Sequence, residues 1–297
     1  MHGRRAAAHG ALAALVLAAA CSAPPETDDR TGPTPVIRAW RGTTPVLDGT
    51  ISPGEWEDAV HFRGTRGWTP TFTPTTDEAD LSLEGWVKHD GESLYFAFRV
   101  TDDLLYGIDT PRWLPDENPK AHELTREGFP WFGDEIVILL NCRPTGREPD
   151  GAGVAGNGSS WQMVCNLTKS RLGGIGVGGL LEGEPRSDRA AWDTYQRWIR
   201  TGAMEAVAKP LPAGKGYVVE WRIRFHPCLE VKPGVFWSPS LGETRVGLNL
   251  AVGDLDRKEQ GRGNFGHFHH EDWWSGGPTT RTDLNNFGTL ILMPGPR

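Results

Sequence analysis

The sequence predicts an all-β protein: an antiparallel β-sandwich of the immunoglobulin or jelly-roll kind, with long loop insertions and one or two short helices. Three observations lead there. Apolar and polar residues alternate with a period of two in several segments. Turn-forming residues are abundant, with 38 Gly and 23 Pro in 297 residues. Helical periodicity is scarce. The segment SLYFAFRV places Leu94, Phe96, Phe98 and Val100 on one face and Tyr95, Ala97 and Arg99 on the other. YVVEWRIRF sets Tyr217, Val219, Trp221, Ile223 and Phe225 against Val218, Glu220, Arg222 and Arg224. RVGLNLAV sets Val246, Leu248, Leu250 and Val252 against Gly247, Asn249 and Ala251. A strand with one buried face has this pattern. DEIVILLN differs: Ile136 to Leu140 is apolar throughout, which predicts a central strand covered on both sides.

Helix signals are few. In SPGEWEDAV, Ser52 suits an N-cap, Pro53 the first helical position and Glu55 the first turn, so one or two helical turns are expected. SDRAAWDTYQRWIR predicts a short helix within a long insertion. GGIGVGG, Gly173 to Gly179, lacks the lysine and the strand–helix setting of a phosphate loop and reads as a mobile loop.

Residues 1–20 have the layout of a bacterial lipoprotein signal. A basic MHGRR precedes the apolar AAAHGALAALVLAAA, which is too short and Ala-rich for a membrane-spanning helix. Ala19 and Ala20 stand before Cys21, with Ala18 where Leu is usual. Cys21 is therefore expected to become a lipidated N-terminus that holds the protein at a membrane of the cell envelope, periplasmic or outer. Ordinary cleavage nearby is the alternative. Residues 21–34 read as a flexible tether and residues 35–297 as one domain. Export permits disulfides. Setting Cys21 aside, three cysteines are left, and a Cys142–Cys165 bridge and three free buried thiols both stay open. The net charge of −7 argues against nucleic acid as a partner. Thirteen Trp exceed what one core needs, so some are expected at the surface, binding something flat and amphipathic.

Four segments, in order, resemble the family 9 carbohydrate-binding modules: TPVLDGTISPGEWEDA, WVKHDGESLYFAFRVTDD, PWFGDEIVILLN, and VGLNLAVGDLD through NNFGTLILMP. The resemblance implies a sandwich that grips the end of a glycan between two tryptophans. An indole face covers the axial C–H groups of a pyranose ring well. One family Trp stands in Pro-Trp-x-x-Asp, matched here by Trp131 and Asp134 of PWFGD, with a core role for Trp131 as the alternative. At the position of the other, six residues before the FG of the last strand, this chain has Arg281. Trp274 is the expected replacement, facing outward beside an inward Trp273, because neighbours on an extended chain point apart. The family's sugar-reading Glu and Arg correspond to Val137 and Val164. An insertion, GIDTPRWLPDENPKAHELTREGF, adds Trp113, His122, Glu123 and Arg126 near the same place. The implied ligand is carbohydrate, read by a polar lining unlike the family's usual one.

The segment HFHHEDWW, His267 to Trp274, is expected in the loop before the last strand. Four readings stay open. His267 and His269, two apart, could chelate zinc or copper. His269 or His270 beside Glu271 and Asp272 could move protons. His269 and Glu271 could line a sugar-binding rim next to Trp274. The segment could also be a solvated polar loop. The rim reading is the one taken forward. The family's structural calcium implies hard oxygen ligands converging from loops. Asp48, Asp102, Asp103 and Asp254 are the expected ligands, with Asp134 and Asp256 in the same acidic constellation and plain turn chemistry as the alternative. No organic cofactor is expected. The function that follows is an exported, non-catalytic, carbohydrate-binding lipoprotein. Two alternatives stand beside it. One is a polysaccharide hydrolase or lyase using Glu123, Asp134, Glu271 or Asp272. The other is a b-type haem module with Met163 or Met204 and a histidine as axial ligands.

Overall fold

The computed structural model describes residues 34–64, 68–72, 78–105, 134–146, 160–167, 172–177, 194, 197–255, 269–275 and 284–297. Two sheets face each other. The smaller is ordered β2 (Val60–Arg63), β4 (Leu81–His89), β5 (Ser93–Asp102), β10 (Tyr217–Arg224) and β9 (Met204–Pro210). The larger is ordered β1 (Val36–Ala39), β15 (Gly288–Leu292), β13 (Thr244–Leu255), β6 (Glu135–Asn141), β7 (Ser160–Leu167) and β8 (Leu172–Val177). With 12 residues, β13 is long enough to pair β15 along its first half and β14 (His269–Trp273) along its second. β3 (Thr69–Phe72) lies outside β14. A hairpin of β11 (Glu230–Lys232) and β12 (Val235–Phe236) stands apart. Pairing is antiparallel except where β1 runs parallel to β15.

The period of two places the core as expected. Leu94, Phe96, Phe98 and Val100 of β5, Tyr217, Val219, Trp221 and Ile223 of β10, and Val246, Leu248, Leu250 and Val252 of β13 form one buried cluster between the sheets. Burying each large apolar side chain is worth roughly 1.5–3 kcal/mol. A one-residue slip of β5 would turn all four of its core residues outward, so the burial also fixes the register.

Each sheet also has cover on its outer face. Over the smaller sheet, Trp56 and Ala59 pack on Trp86, Tyr95 and Ala97, with Leu47 and Ile51 at the edge. Over the larger, Leu284 and Phe287 pack on Val137, Leu139, Val164 and Ala251. This second cover explains why β6 is apolar on both faces and buried from end to end. It also explains the tryptophans. None whose side chain is described is exposed: Trp56, Trp68, Trp86, Trp198, Trp221, Trp237 and Trp274 are buried, and Trp40 and Trp161 partly so. The surplus of indole fills several apolar layers where surface platforms were expected.

Three local expectations are corrected. SPGEWEDAV forms consecutive turns in place of a helix. The Glu55 carbonyl, which residue 59 would use in a helix, accepts the Lys88 Nζ at 2.5 Å, and Ala59 N–H bonds Trp56 instead. The fully buried Lys88 is completed by Asp58 Oδ1 at 2.7 Å. GGIGVGG contributes the strand β8, paired with β7. Cys142 and Cys165 are buried, free and far apart. Cys165 pairs with Ile136 at the start of β6, whereas Cys142 follows its end. Six residues of strand, roughly 20 Å, separate those positions. Of SDRAAWDTYQRWIR, residues 197–200 are helical and most of the rest lies outside the described residues. No helix among the described residues is long and apolar enough to cross a membrane.

Candidate metal and ligand site

Three strands bring their acids to one end of the sandwich. The inward row of β5 continues past Val100 to Asp102, and that of β13 past Val252 to Asp254. Asp134 is two residues ahead of Ile136, the first inward residue of β6. All three acids are fully buried, and a carboxylate oxygen of each lies within 4.8 Å of the other two. Asp102 Oδ1 also accepts the Leu104 N–H at 2.8 Å, which turns the chain out of β5.

Tyr217 joins them from β10, where it pairs with Val100. Its position depends on Gly216, which has φ +112° and where a Cβ would sit 1.9 Å from the Val100 carbonyl oxygen. The Tyr217 hydroxyl is buried and has no hydrogen-bond partner among the described residues. Burial, and then the negative fields of Asp134, Asp102, Asp254 and Glu135, push its ionisation well above the usual range. Tyr217 was not anticipated. Its signal was available: it opens the inward row of β10 beside the end of β5.

Ionised carboxylates 4.8 Å apart repel by about 3.5 kcal/mol per pair at an effective dielectric near 20. The cluster therefore needs shared protons or a cation. The donor set fits a hard cation. Calcium takes oxygens at about 2.3–2.6 Å, so ligands on opposite sides of one ion are roughly 4.6–5.2 Å apart. Three buried carboxylates all within 4.8 Å match that span.

The other expected site residues fall as follows. Asp102 and Asp254 converge as metal-ligand candidates, and Asp134, expected at the sugar rim, sits with them. Asp48 does not belong to this group. It is exposed on the outer face of the smaller sheet, where the buried Glu220 carboxylate holds its N–H at 2.9 Å. Asp103 is exposed, one residue out of phase with Asp102. Trp274 is not an outward platform. It is 2 % exposed, its N–H bonds the Leu250 carbonyl, and its ring fills the space beside Gly288. The strand ends at Trp273, so alternation no longer governs the next residue. Residues 269–273 form β14, not a loop, with His269 opposite Leu255 and Glu271 opposite Gly253. Trp113, Trp131, His267 and Cys21 lie outside the described residues. Val137 and Val164, at the positions of the family's sugar-reading Glu and Arg, pair directly across β6 and β7. They lie beneath Leu284 and Phe287, so an apolar patch stands where that polar pair would be.

No protein-family model and no curated protein sequence matches the chain. Among solved structures it is similar to a family 9 carbohydrate-binding module from Caldicellulosiruptor kristjanssonii in complex with cellotriose. Identity is 16 %, the TM-score 0.51, and the match covers 88 % of this chain and 95 % of that one. The module in complex with glucose matches at 14 % identity and a TM-score of 0.49, over 88 % and 97 % of the two chains. The all-β sandwich expected from the sequence is borne out.

Proposed function

We propose that the protein binds carbohydrate without cleaving it, as an exported lipoprotein held at the cell envelope through Cys21. The observation that supports this most is the fold: the module whose sandwich it resembles is complexed with cellotriose. The PWFGD motif supports it independently, since it supplies Trp131 as the stacking platform. Trp113, His269 and Glu271 are the further candidates for contact with sugar hydroxyls. With Val137 and Val164 in an apolar patch, the ligand is read by groups other than the family's Glu and Arg.

Calorimetric titration with cello-, xylo- and other plant, algal and bacterial oligosaccharides tests the reading. Binding to one class is expected. In Trp131→Ala, affinity should fall by roughly 1–3 kcal/mol, the scale of one large apolar contact, with the melting temperature unchanged. Silence across the panel overturns the proposal. Labelling of the chain by a fatty-acid probe, lost in Cys21→Ala, tests the anchor.

In this reading Asp102, Asp134 and Asp254 hold a structural calcium ion. Bound there, calcium would supply the positive charge that lets three buried carboxylates ionise together. Asp102 comes from the smaller sheet and the other two from the larger, so shared ligation would tie the sheets at that end.

A further inference from the structure

At the end of the sandwich opposite the acids, two cysteines meet. Cys142 directly follows β6 of the larger sheet, and Cys228 closes the helical turn Phe225–Cys228 that follows β10 of the smaller one. The Cys142 Sγ lies 3.9 Å from the Cys228 carbonyl oxygen, and the Cys228 Sγ lies 3.7 Å from that of Ala203. Both residues are buried, at 2 % and 3 % exposure. A charge on Cys142 is felt by Cys228, raising its pKa further after burial has done most of the lifting. Cys165 is the wrong partner for Cys142, because the β6–β7 register sets it against Ile136.

We propose that Cys142 and Cys228 are a cross-linking pair, forming a disulfide between the two sheets wherever the chain folds in an oxidising compartment. The bond forms when two thiols give up two protons and two electrons. The oxidant is a small disulfide of the glutathione class, which is cleaved to two thiols. Attack needs a thiolate. Burial pushes the Cys142 thiol up to about 12 and that of Cys228 higher still, so exchange in the closed structure is suppressed. The bond therefore forms while this end is open during folding, and closure then shelters it from reductants. Its span of 86 residues constrains the unfolded chain strongly, since the chain-entropy effect grows with loop length.

The test is peptide mapping. The full chain is unfolded and refolded in a glutathione redox buffer, denatured, alkylated without reduction and digested. The expected result is one peptide pair joined through Cys142 and Cys228, at the summed mass less two hydrogens, with Cys165 alkylated. In Cys165→Ser the same joined pair is expected, and in Cys142→Ser the Cys228 peptide should be alkylated. Alkylation of Cys142 and Cys228 in the unsubstituted chain, or a joined peptide containing Cys165, overturns the proposal. If Cys142→Ser does not fold, Cys165→Ser still reports the pairing.

Discussion

The two ends of the sandwich are built on opposite principles. At the end that holds Cys142 and Cys228, polar groups are matched one for one. Asp90, in the turn between β4 and β5, accepts the backbone N–H groups of Glu92 and Ser93 at Oδ1 and the hydroxyls of Tyr95 and Thr44 at Oδ2. Burial opposes its ionisation, but these four bonds outweigh burial and hold its pKa below the usual carboxylate range. At the other end Asp102, Asp134 and Asp254 set like charges side by side, with a buried phenol among them. One end is self-sufficient. The other depends on what the solution supplies. Within one fold, identical side-chain chemistry can make one site intrinsically stable and another conditional, according to whether donors or further acceptors surround it.

The largest effect is expected from Trp274→Ala, which removes an indole buried beside Leu250 and Gly288. Core Trp truncations cost about 3–5 kcal/mol. The loss should show as a lower urea midpoint, of equal size with and without chelator, because the cavity lies outside the acid cluster. A small loss would return Trp274 to the surface. Next comes calcium itself. A ligand present at 100–1,000 times its dissociation constant adds about 2.7–4.1 kcal/mol to stability. A chelator should therefore lower the melting temperature by several degrees, and Asp254→Asn should remove most of that sensitivity. Coincident melting curves of the unsubstituted chain with and without chelator would count against the conditional end. Asp90→Ala should cost roughly 1.5–3 kcal/mol, the scale of a hydrogen bond to a charged group. It should leave the response to calcium intact, and a lost response would show that the two ends are coupled.

The smallest effect concerns pH. His89, buried next to Asp90, donates from Nε2 to the Met293 carbonyl at 2.6 Å. Burial lowers its pKa from 6.5, outweighing the hydrogen bond that favours the charged form. Below 6.5 the unfolded chain then binds a proton that the folded chain refuses, so stability falls as pH drops from 6.5 toward the folded pKa. For Asp90 the folded pKa is depressed, so its contribution is present above the ordinary value of 3.8 and lost as pH falls through the folded one. Urea titrations from pH 7.5 to 5 should show the His89 slope, and His89→Gln should flatten it. An identical slope in the variant would assign it elsewhere.

What could be read from the sequence was whatever the period of two controls. The inward rows of β5, β10 and β13 follow it residue by residue, and so do Asp102 and Asp254 at their ends. Strict parity would also have excluded Asp103 and admitted Asp134, two residues before Ile136. What could not be read depended on partners distant in the chain. The turns in SPGEWEDAV exist because Lys88, 33 residues away, captures the Glu55 carbonyl. Asp48 is fixed by Glu220 from 172 residues away. The burial of Trp274 follows from where β14 stops, and the meeting of Cys142 with Cys228 from how two sheets stack, neither of which has a local signature.

The parallel pairing of β1 with β15 has a mechanical consequence. A pull transmitted through the segment ahead of Val36 acts along the axis of β1, and its register with β15 runs from Val36↔Thr289 to Ala39↔Leu292. The hydrogen bonds of that edge are then loaded side by side, in shear, and must fail together. A strand peeled from its end would lose them one at a time. For a domain held from its N-terminal side, the short strand β1 is a clasp that resists tugging far better than its four residues would suggest.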